Sequence, residues 1–396
     1  IREREIRNFT ETPFYRVVGS FLPQSSTGVF LAAEASGLPQ NVAGSEGTSG
    51  LSQTVDGGRM ASAIAAEWKA VPGSKYFESP LLYKENGFKK EESAQTLIGE
   101  LTGGRAVVDS VETGVTKKRA PLLFNLAELQ AECSKRFKIS PDETLQVAQD
   151  LYEKKLTTYP RTDARVLSLA VAKEIGKNIS RLKNFEPVRD YVERIMKEGR
   201  YRQIADTQYT DDAKITDHYA IIPTGQLTEL ESLNDLQRRV YELIVRRFLS
   251  IFYPPAQYQS VKLVVAVAGE KLYTSAKALK SPGYLEIAGI PKKKERSTQG
   301  ENGRTSGISG DSAAGDGNAD SSGEDEEENT GLLALAGELH NGDELLCCGY
   351  EIREGKTAPP KRYTSGSMVL AMENAGQLIE EEELREQIKG SGIGTS

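Results

Sequence analysis

The apolar residues of this chain change their spacing twice, and those two changes limit the folds open to it. Before about Pro121 they sit in β-rich runs separated by stretches of Gly, Ser and Thr. From there to Tyr253 they recur at helical spacing, and after Pro254-Pro255 strand-like runs return. A period near 2 places alternate residues on one face of a strand, whereas a period of about 3.6 builds one face of a helix. The order strands, helical block, strands, helix predicts an α+β chain in which a helical domain is inserted into a β-rich one. No internal repeat of fixed period is visible.

Local signals mark the elements. Residues 1–8 read as the end of a charged helix, and Pro13–Leu22 as a strand built on Phe14-Tyr15-Arg16-Val17-Val18. Residues 34–60 read as a loop. Strand-like runs follow at Tyr76–Leu82, Gln95–Leu101 and Ala106–Val111. Asn125 before Leu126-Ala127-Glu128 predicts a capped helix start, with Leu126, Leu129, Cys133 and Phe137 on its apolar side. Ser140-Pro141-Asp142-Glu143 is a stronger start: Ser140 can cap, Pro141 suits the first turn and Glu143 can reach back. Leu145, Ala148, Leu151 and Tyr152 give that helix its stripe, which should end near Lys154-Lys155. Pro160 then disfavours the α conformation at Tyr159, and two β-branched threonines favour an extended Leu156–Tyr159. Further helices are expected at Ser168–Leu182 and Leu227–Tyr253, strands at Val261–Val267 and Lys271–Ala278, and a helical pattern from Thr364 through Met372.

Composition narrows the function classes. With 396 residues, 38% apolar and 27% charged, the chain is of ordinary globular type and long enough for two or three domains. No apolar run approaches the roughly 18–20 residues needed to span a bilayer. The three cysteines form no Cys-x-x-Cys pair and only two histidines are present, which argues against a zinc site. All three cysteines read as free buried thiols, and their scarcity, with no signal core near Ile1, fits a reducing cytoplasm. The net charge of −7 is carried by one segment: residues 297–330 hold nine acids and one base, so the remainder is near neutral. That segment has almost no apolar residues and reads as a disordered acidic insertion. The rest can carry a local basic groove.

Three clusters carry chemistry. The first is Leu156-Thr157-Thr158-Tyr159-Pro160-Arg161-Thr162-Asp163. A tyrosine hydroxyl ordinarily titrates near ~10 and is a weak nucleophile at neutral pH. Attack on a phosphodiester therefore needs nearby positive charge. In extended structure Arg161 would share a face with Tyr159, and its fork suits phosphate oxygens. Taken alone, Tyr-x-Arg is common by chance and reads first as structural, since the chain has 16 tyrosines. The second cluster is Thr216-Asp217-His218-Tyr219-Ala220-Ile221-Ile222-Pro223-Thr224, with Lys214 nearby. Its lone histidine is either a structural hydrogen-bonder or a group whose free nitrogen meets a phosphate. The third is Pro359-Pro360-Lys361-Arg362-Tyr363-Thr364, followed later by Gly390–Ser396. Its basic, aromatic and hydroxyl groups suit single strands, though taken alone it reads more readily as a simple turn.

In this order the three clusters resemble the bacterial type IA DNA topoisomerases, most nearly their topoisomerase III branch. Tyr159-Pro160-Arg161-Thr162-Asp163 matches the active-site motif, and Asp217 to Thr224 the second signature. Pro359 to Thr364, Met372-Glu373-Asn374-Ala375-Gly376 and Gly390 to Ser396 match the third region. The resemblance covers nearly the whole chain except the acidic insertion.

It implies that Tyr159 attacks a single-stranded phosphodiester to form a 5′-phosphotyrosine and release a 3′-hydroxyl. A second strand then passes before resealing, without ATP. It implies catalytic roles for Tyr159 and Arg161. His218 would contact the DNA backbone, Thr162, Asp163 and Lys214 would position these groups, and Arg362 and Tyr363 would line the single-strand groove. The implied fold is a toroidal arch. Base domain IV would supply 1–12 and 351–396, β-rich domain II would be 13–118 and 257–350 with the insertion at about 297–330, and helical domain III would be 119–256.

The implied substrate is single-stranded and negatively supercoiled DNA, handled by a monomer in the cytoplasm at the nucleoid, with no membrane partner. Ala164 departs from the family, where Ser is common. Nothing matches the family's Toprim domain with its Asp-x-Asp-x-Glu cluster. The expectation is therefore a fragment with no metal of its own, whose full-length form uses Mg²⁺ bound by Toprim and which alone is inactive in relaxation. A single-strand binding module without chemistry is the competing reading. A tyrosine recombinase is disfavoured because neither His218 nor His340 begins a His-x-x-Arg.

Overall fold

A computed structural model describes residues 2–23, 63–289 and 330–375. The loop expected at 34–60, all but the last residue of the acidic insertion and Gly390–Ser396 lie outside the described residues. The chain is of mixed α+β class. It divides into two compact units, one of Ile1–Thr116, Tyr258–Lys280 and Ala319–Lys361, the other of Lys117–Gln257, Ser281–Asn318 and Arg362–Ser396.

The first unit carries the short helix α1 (Arg2–Arg7) and strands β1 (Pro13–Pro23), β2 (Ile64–Trp68), β3 (Leu82–Lys84) and β4 (Gly87–Phe88). Helix α2 (Glu91–Leu101) and β5 (Ala106–Lys118) follow, then, after most of the second unit's helices, β6 (Ala256–Val267), β7 (Glu270–Ser281) and β8 (Glu344–Lys356). Hydrogen bonding orders the eight strands β2-β7-β6-β5-β8-β1-β4-β3, and β2 also pairs with β1. Six strands thereby close into a ring, which removes most exposed edges. Alternation fills its interior: Ile64, Ala66 and Trp68 from β2 and Val261, Leu263, Val265 and Val267 from β6 are all buried. Trp68 stacks on Phe88 at 5.0 Å, and Tyr76 presents its edge to both rings.

One carboxylate sits in that apolar interior. Glu270 is 5% exposed and accepts from Trp68 Nε1 at 2.7 Å, Ser74 Oγ at 2.6 Å and the Lys75 amide at 2.9 Å. Three donors on two oxygens satisfy a group whose burial would otherwise be costly.

The second unit contains α3 (Leu126–Phe137), α4 (Pro141–Glu153), α5 (Leu169–Arg181), α6 (Arg189–Glu198), α7 (Asp235–Ser250), the short α8 (Leu285–Ala288) and α10 (Ser365–Glu373); α9 (Thr330–Leu335) belongs to the first unit. Both expected helix starts form. Asn125 Oδ1 accepts from the Glu128 amide, and Ser140 and Glu143 exchange a full capping box.

Several expectations are corrected. Gln95–Leu101 is the second half of α2, not a strand; Ala94, Leu97 and Leu101 lie on one buried helical face, which outweighs β-branched Thr96 and Ile98. Tyr76–Leu82 is mainly turns, and only Leu82 enters a strand. The helix expected over Leu227–Tyr253 begins only at Asp235, where Asn234 and Gln237 form a capping box. On α4 the buried face is Thr144, Val147, Ala148 and Leu151, while Tyr152 faces outward. Only Cys133 is a buried thiol, pushed up to about 12 by burial; Cys347 is half-buried and Cys348 exposed on β8.

Replacing Glu270 with Ala should lower stability by about 2–4 kcal/mol in chemical denaturation, because it leaves the Trp68, Ser74 and Lys75 donors unpaired in the interior. Glu270→Gln, which keeps an acceptor, should lose less.

Candidate active site

The tyrosine loop is held by chain segments that are distant in sequence. Helix α4 ends at Glu153, and two residues on Lys155, with a left-handed φ of 59°, turns the chain sharply. The next residues are extended and pair with the second signature. The Thr158 amide donates to the Ile222 carbonyl at 3.0 Å, and the Thr224 amide to the Leu156 carbonyl at 3.0 Å. Thr158 adds two side-chain bonds: its hydroxyl donates to the Ala220 carbonyl at 3.0 Å and accepts from the Ile222 amide at 2.9 Å. Thr162 closes the other end of the loop, its hydroxyl donating to the His218 carbonyl at 2.6 Å. Behind the second signature, the Ile221 amide donates to the Phe124 carbonyl and the Ala220 amide to the Val166 carbonyl.

This pairing sets Tyr159 beside His218. Their ring centroids are 4.6 Å apart, tilted at 49°. On its other side Tyr159 meets Tyr152 at 5.4 Å in an edge-to-face contact. The three rings line a cleft of about 400 Å³ with Lys155, Thr157, Thr158, Tyr219, Thr224 and Gln226. Tyr159 is half-buried and His218 exposed. Among the described residues no side chain hydrogen-bonds to the Tyr159 hydroxyl or to the His218 ring. Burial pushes the Tyr219 phenol up from its ordinary range.

The other expected site residues fall in different places. Arg161 is exposed and does not line the cleft. The extended alternation that would put it on the face of Tyr159 is broken there, because the Thr162 amide donates to the Pro160 carbonyl at 3.1 Å. Thr162 is 7% exposed, its hydroxyl committed to the backbone. Asp163 is exposed, with its carbonyl accepting from Asn125 Nδ2 at 3.2 Å. Lys214 pairs with Asp211 at 3.1 Å on the surface. Arg362 is exposed and Tyr363 half-buried, just ahead of α10. Tyr152 and Lys155 were not expected in the site. The only signal for Tyr152 was that its position, one past Leu151, sits at the rim of the helical stripe. Among the described residues no group of three His, Cys, Asp or Glu side chains could hold a metal ion.

A family profile described as DNA topoisomerase matches residues 1–396. The chain belongs to the type IA DNA topoisomerases. Among its relatives, DNA topoisomerase 3 of Bacillus licheniformis is 33% identical over 288 residues, covering 72% of this chain and 35% of that protein. DNA topoisomerase 3 of Bacillus subtilis is 32% identical, covering 74% of this chain and 36% of that protein. That of Shouchella clausii is 31% identical, covering 79% and 38%. The chain thus spans little more than a third of the length of these topoisomerases. The structure of full-length topoisomerase I from Thermotoga maritima aligns with 95% of this chain and 46% of that one, with a TM-score of 0.49 and 20% identity. No helix among the described residues of this topoisomerase chain is long and apolar enough to cross a membrane.

Thr158→Val should cost about 1–3 kcal/mol in chemical denaturation, since it strips partners from the Ala220 carbonyl and the Ile222 amide at once. Thr158→Ser should recover most of that loss.

Proposed function

We propose that this chain carries the nucleophile of a type IA DNA topoisomerase, and that Tyr159 is that nucleophile. One observation supports it above the others: the Tyr159 phenol stands in an open cleft against His218, ring centroids 4.6 Å apart, with no hydrogen-bond partner among the described residues. A structural tyrosine would bury its ring and satisfy its hydroxyl.

In the proposed reaction the Tyr159 oxygen attacks the phosphorus of a single-stranded phosphodiester. The new Tyr–O–P bond forms as the bond from phosphorus to the 3′ oxygen breaks. The phenol gives up its proton, and the departing 3′ oxygen takes one to become a hydroxyl. That hydroxyl later attacks the phosphotyrosine, restoring both the DNA strand and the phenol. One phosphoester replaces another at each step, so no ATP is consumed.

Arg161, exposed at the turn after Pro160, would bind the scissile phosphate by swinging toward it. His218 would hold a phosphate oxygen across the cleft. Thr162 and Asp163 would act by holding the loop, Lys214 by adding positive charge, and Arg362 and Tyr363 by contacting the single strand.

Mg²⁺ would be held outside the described residues, whose donors do not form a site for it. No step above is assigned to it. The domain allotment read from the sequence, with the tyrosine in a helical domain III between two parts of a β-rich domain II, and the toroidal arch belong to this proposal. So do single-stranded and supercoiled DNA as substrate and action at the nucleoid by a monomer.

The test uses a single-stranded oligonucleotide labelled on the 3′ side of its cleavage site and the full-length protein. Wild type should leave a covalent protein–DNA band after denaturation, and Tyr159→Phe none. Arg161→Ala should form that band about 100- to 1000-fold more slowly, the scale of removing one preorganised charge donor. An equal band from Tyr159→Phe would sink the reading, and DNA binding without any covalent band would favour a plain single-strand binding module. The isolated 396-residue chain should show no plasmid relaxation with Mg²⁺, and measurable turnover would contradict that.

A further inference from the structure

Asn125 occupies a junction that the reaction above does not use. It is 1% exposed, and its oxygen and both hydrogens of its amide nitrogen are engaged. Its Oδ1 accepts from the Glu128 amide at 2.9 Å, capping α3. One Nδ2 hydrogen goes to the Asp163 carbonyl at 3.2 Å, inside the tyrosine loop. The other goes to Glu373 Oε1, the last residue of α10. A flip of the amide would set its oxygen against two acceptors and its NH₂ against a backbone N–H, so the three partners fix one orientation. Without Glu373, only the Asp163 carbonyl would oppose that flip on the Nδ2 side.

Glu373 reaches this junction because α10 lies directly on α3. At Gly366 an added Cβ would stand 2.8 Å from Ala131 Cα, a contact only glycine permits. Gly366 and Glu373 are seven positions apart and therefore share one face of α10. The charged neighbours of the Glu373 carboxylate are Glu128, Asp163 and Arg165; Arg165 is itself paired with Glu128 at 2.8 Å. Burial holds the Glu373 carboxyl above the usual carboxylate range, and the Asn125 bond pulls it the other way.

We propose that Glu373 is a positioning residue for the nucleophile: as a hydrogen-bond acceptor it locks Asn125, Asn125 locks the Asp163 carbonyl, and α10 thereby sets the geometry of the loop from Tyr159 to Asp163. The inference rests on Tyr159 being the nucleophile. It gives α10 a hand, through Asn125, in chemistry that sits more than 200 residues earlier in the chain.

The test measures single-turnover covalent-adduct formation by the full-length protein on a labelled single-stranded oligonucleotide, with affinity for the same oligonucleotide measured separately. Glu373→Ala and Glu373→Met, the second keeping volume without an acceptor, should slow adduct formation about 10- to 100-fold, the scale of a small misplacement of reacting groups. Their oligonucleotide affinity should stay within about 2-fold of wild type, so that the loss lies in the chemical step. Glu373→Gln retains an acceptor oxygen and should restore most of the rate, which a merely charged or space-filling role would not allow. Thermal melting of each variant separates misfolding from misplacement. Wild-type rates in both the Ala and Met variants would overturn the inference, as would a Gln variant as slow as Ala or a parallel loss of oligonucleotide affinity. A wild-type protein with no adduct that Tyr159→Phe removes would overturn both this inference and the reading beneath it. A Tyr159-dependent adduct indifferent to Glu373 would overturn this inference alone.

Discussion

Thr158 joins two stretches of chain that are far apart in sequence, and the candidate site depends on that joint. Its amide and its hydroxyl together engage the Ala220 carbonyl and both polar groups of Ile222. Thr162 adds a second tie to the His218 carbonyl. Between these two points stand Tyr159, the rigid ring of Pro160 and exposed Arg161. Side-chain to backbone bonds of this kind need no regular sheet, so a loop can be pinned at both ends while its centre stays open to solvent. The result is a phenol whose ring is fixed by neighbours but whose oxygen has no hydrogen-bond partner among the described residues.

Several contacts support the loop from behind. One is made by Arg247 on α7, half-buried, which donates to the Leu122 carbonyl at 3.0 Å and lies 4.1 Å over the Phe124 ring. Burial lowers its pKa to about 10, which still leaves the guanidinium charged at neutral pH. It anchors the segment that leads into Asn125. Asn125 then ties the loop to α3 and to α10. The groups proposed to meet DNA lie outermost. A site that must hold reacting atoms to fractions of an ångström gains from such a locked backing, because each exposed side chain then starts from a fixed backbone.

The β-rich unit solves a different problem. Its ring of strands closes because β8 pairs along the whole of β1, from Pro13 with Lys356 to Pro23 with Leu345, with a bulge at Ser20/Phe21. Contact between residues so far apart in sequence slows folding, and it means that neither half of the barrel is complete alone. The buried Glu270 carboxylate ties β7 to β2 and to the turn that follows it, since Trp68, Ser74 and Lys75 all donate to it. An apolar residue there would satisfy none of those donors.

Local chemistry written in the sequence determined a good deal here. The caps at Asn125 and Ser140, the extended approach to Tyr159 before Pro160 and the alternation of Val261 to Val267 all formed as read, because each depends on neighbours within a few residues. The family was equally legible, since its three motifs are built of short runs that follow one another in a fixed order. Misreadings came where local preference is weak. Gln95–Leu101 has β-branched residues but buries a helical face, and β8 exposes most of its side chains, so no apolar alternation announces it. Tyr152 was read as core, yet only the packing of α4 against its neighbours decides which edge of a helical stripe is covered. Tertiary structure alone placed His218 against Tyr159 and brought Glu373 to Asn125. Those contacts join residues tens to hundreds of positions apart, and spacing along a chain carries no information about which distant segments will share a hydrogen bond.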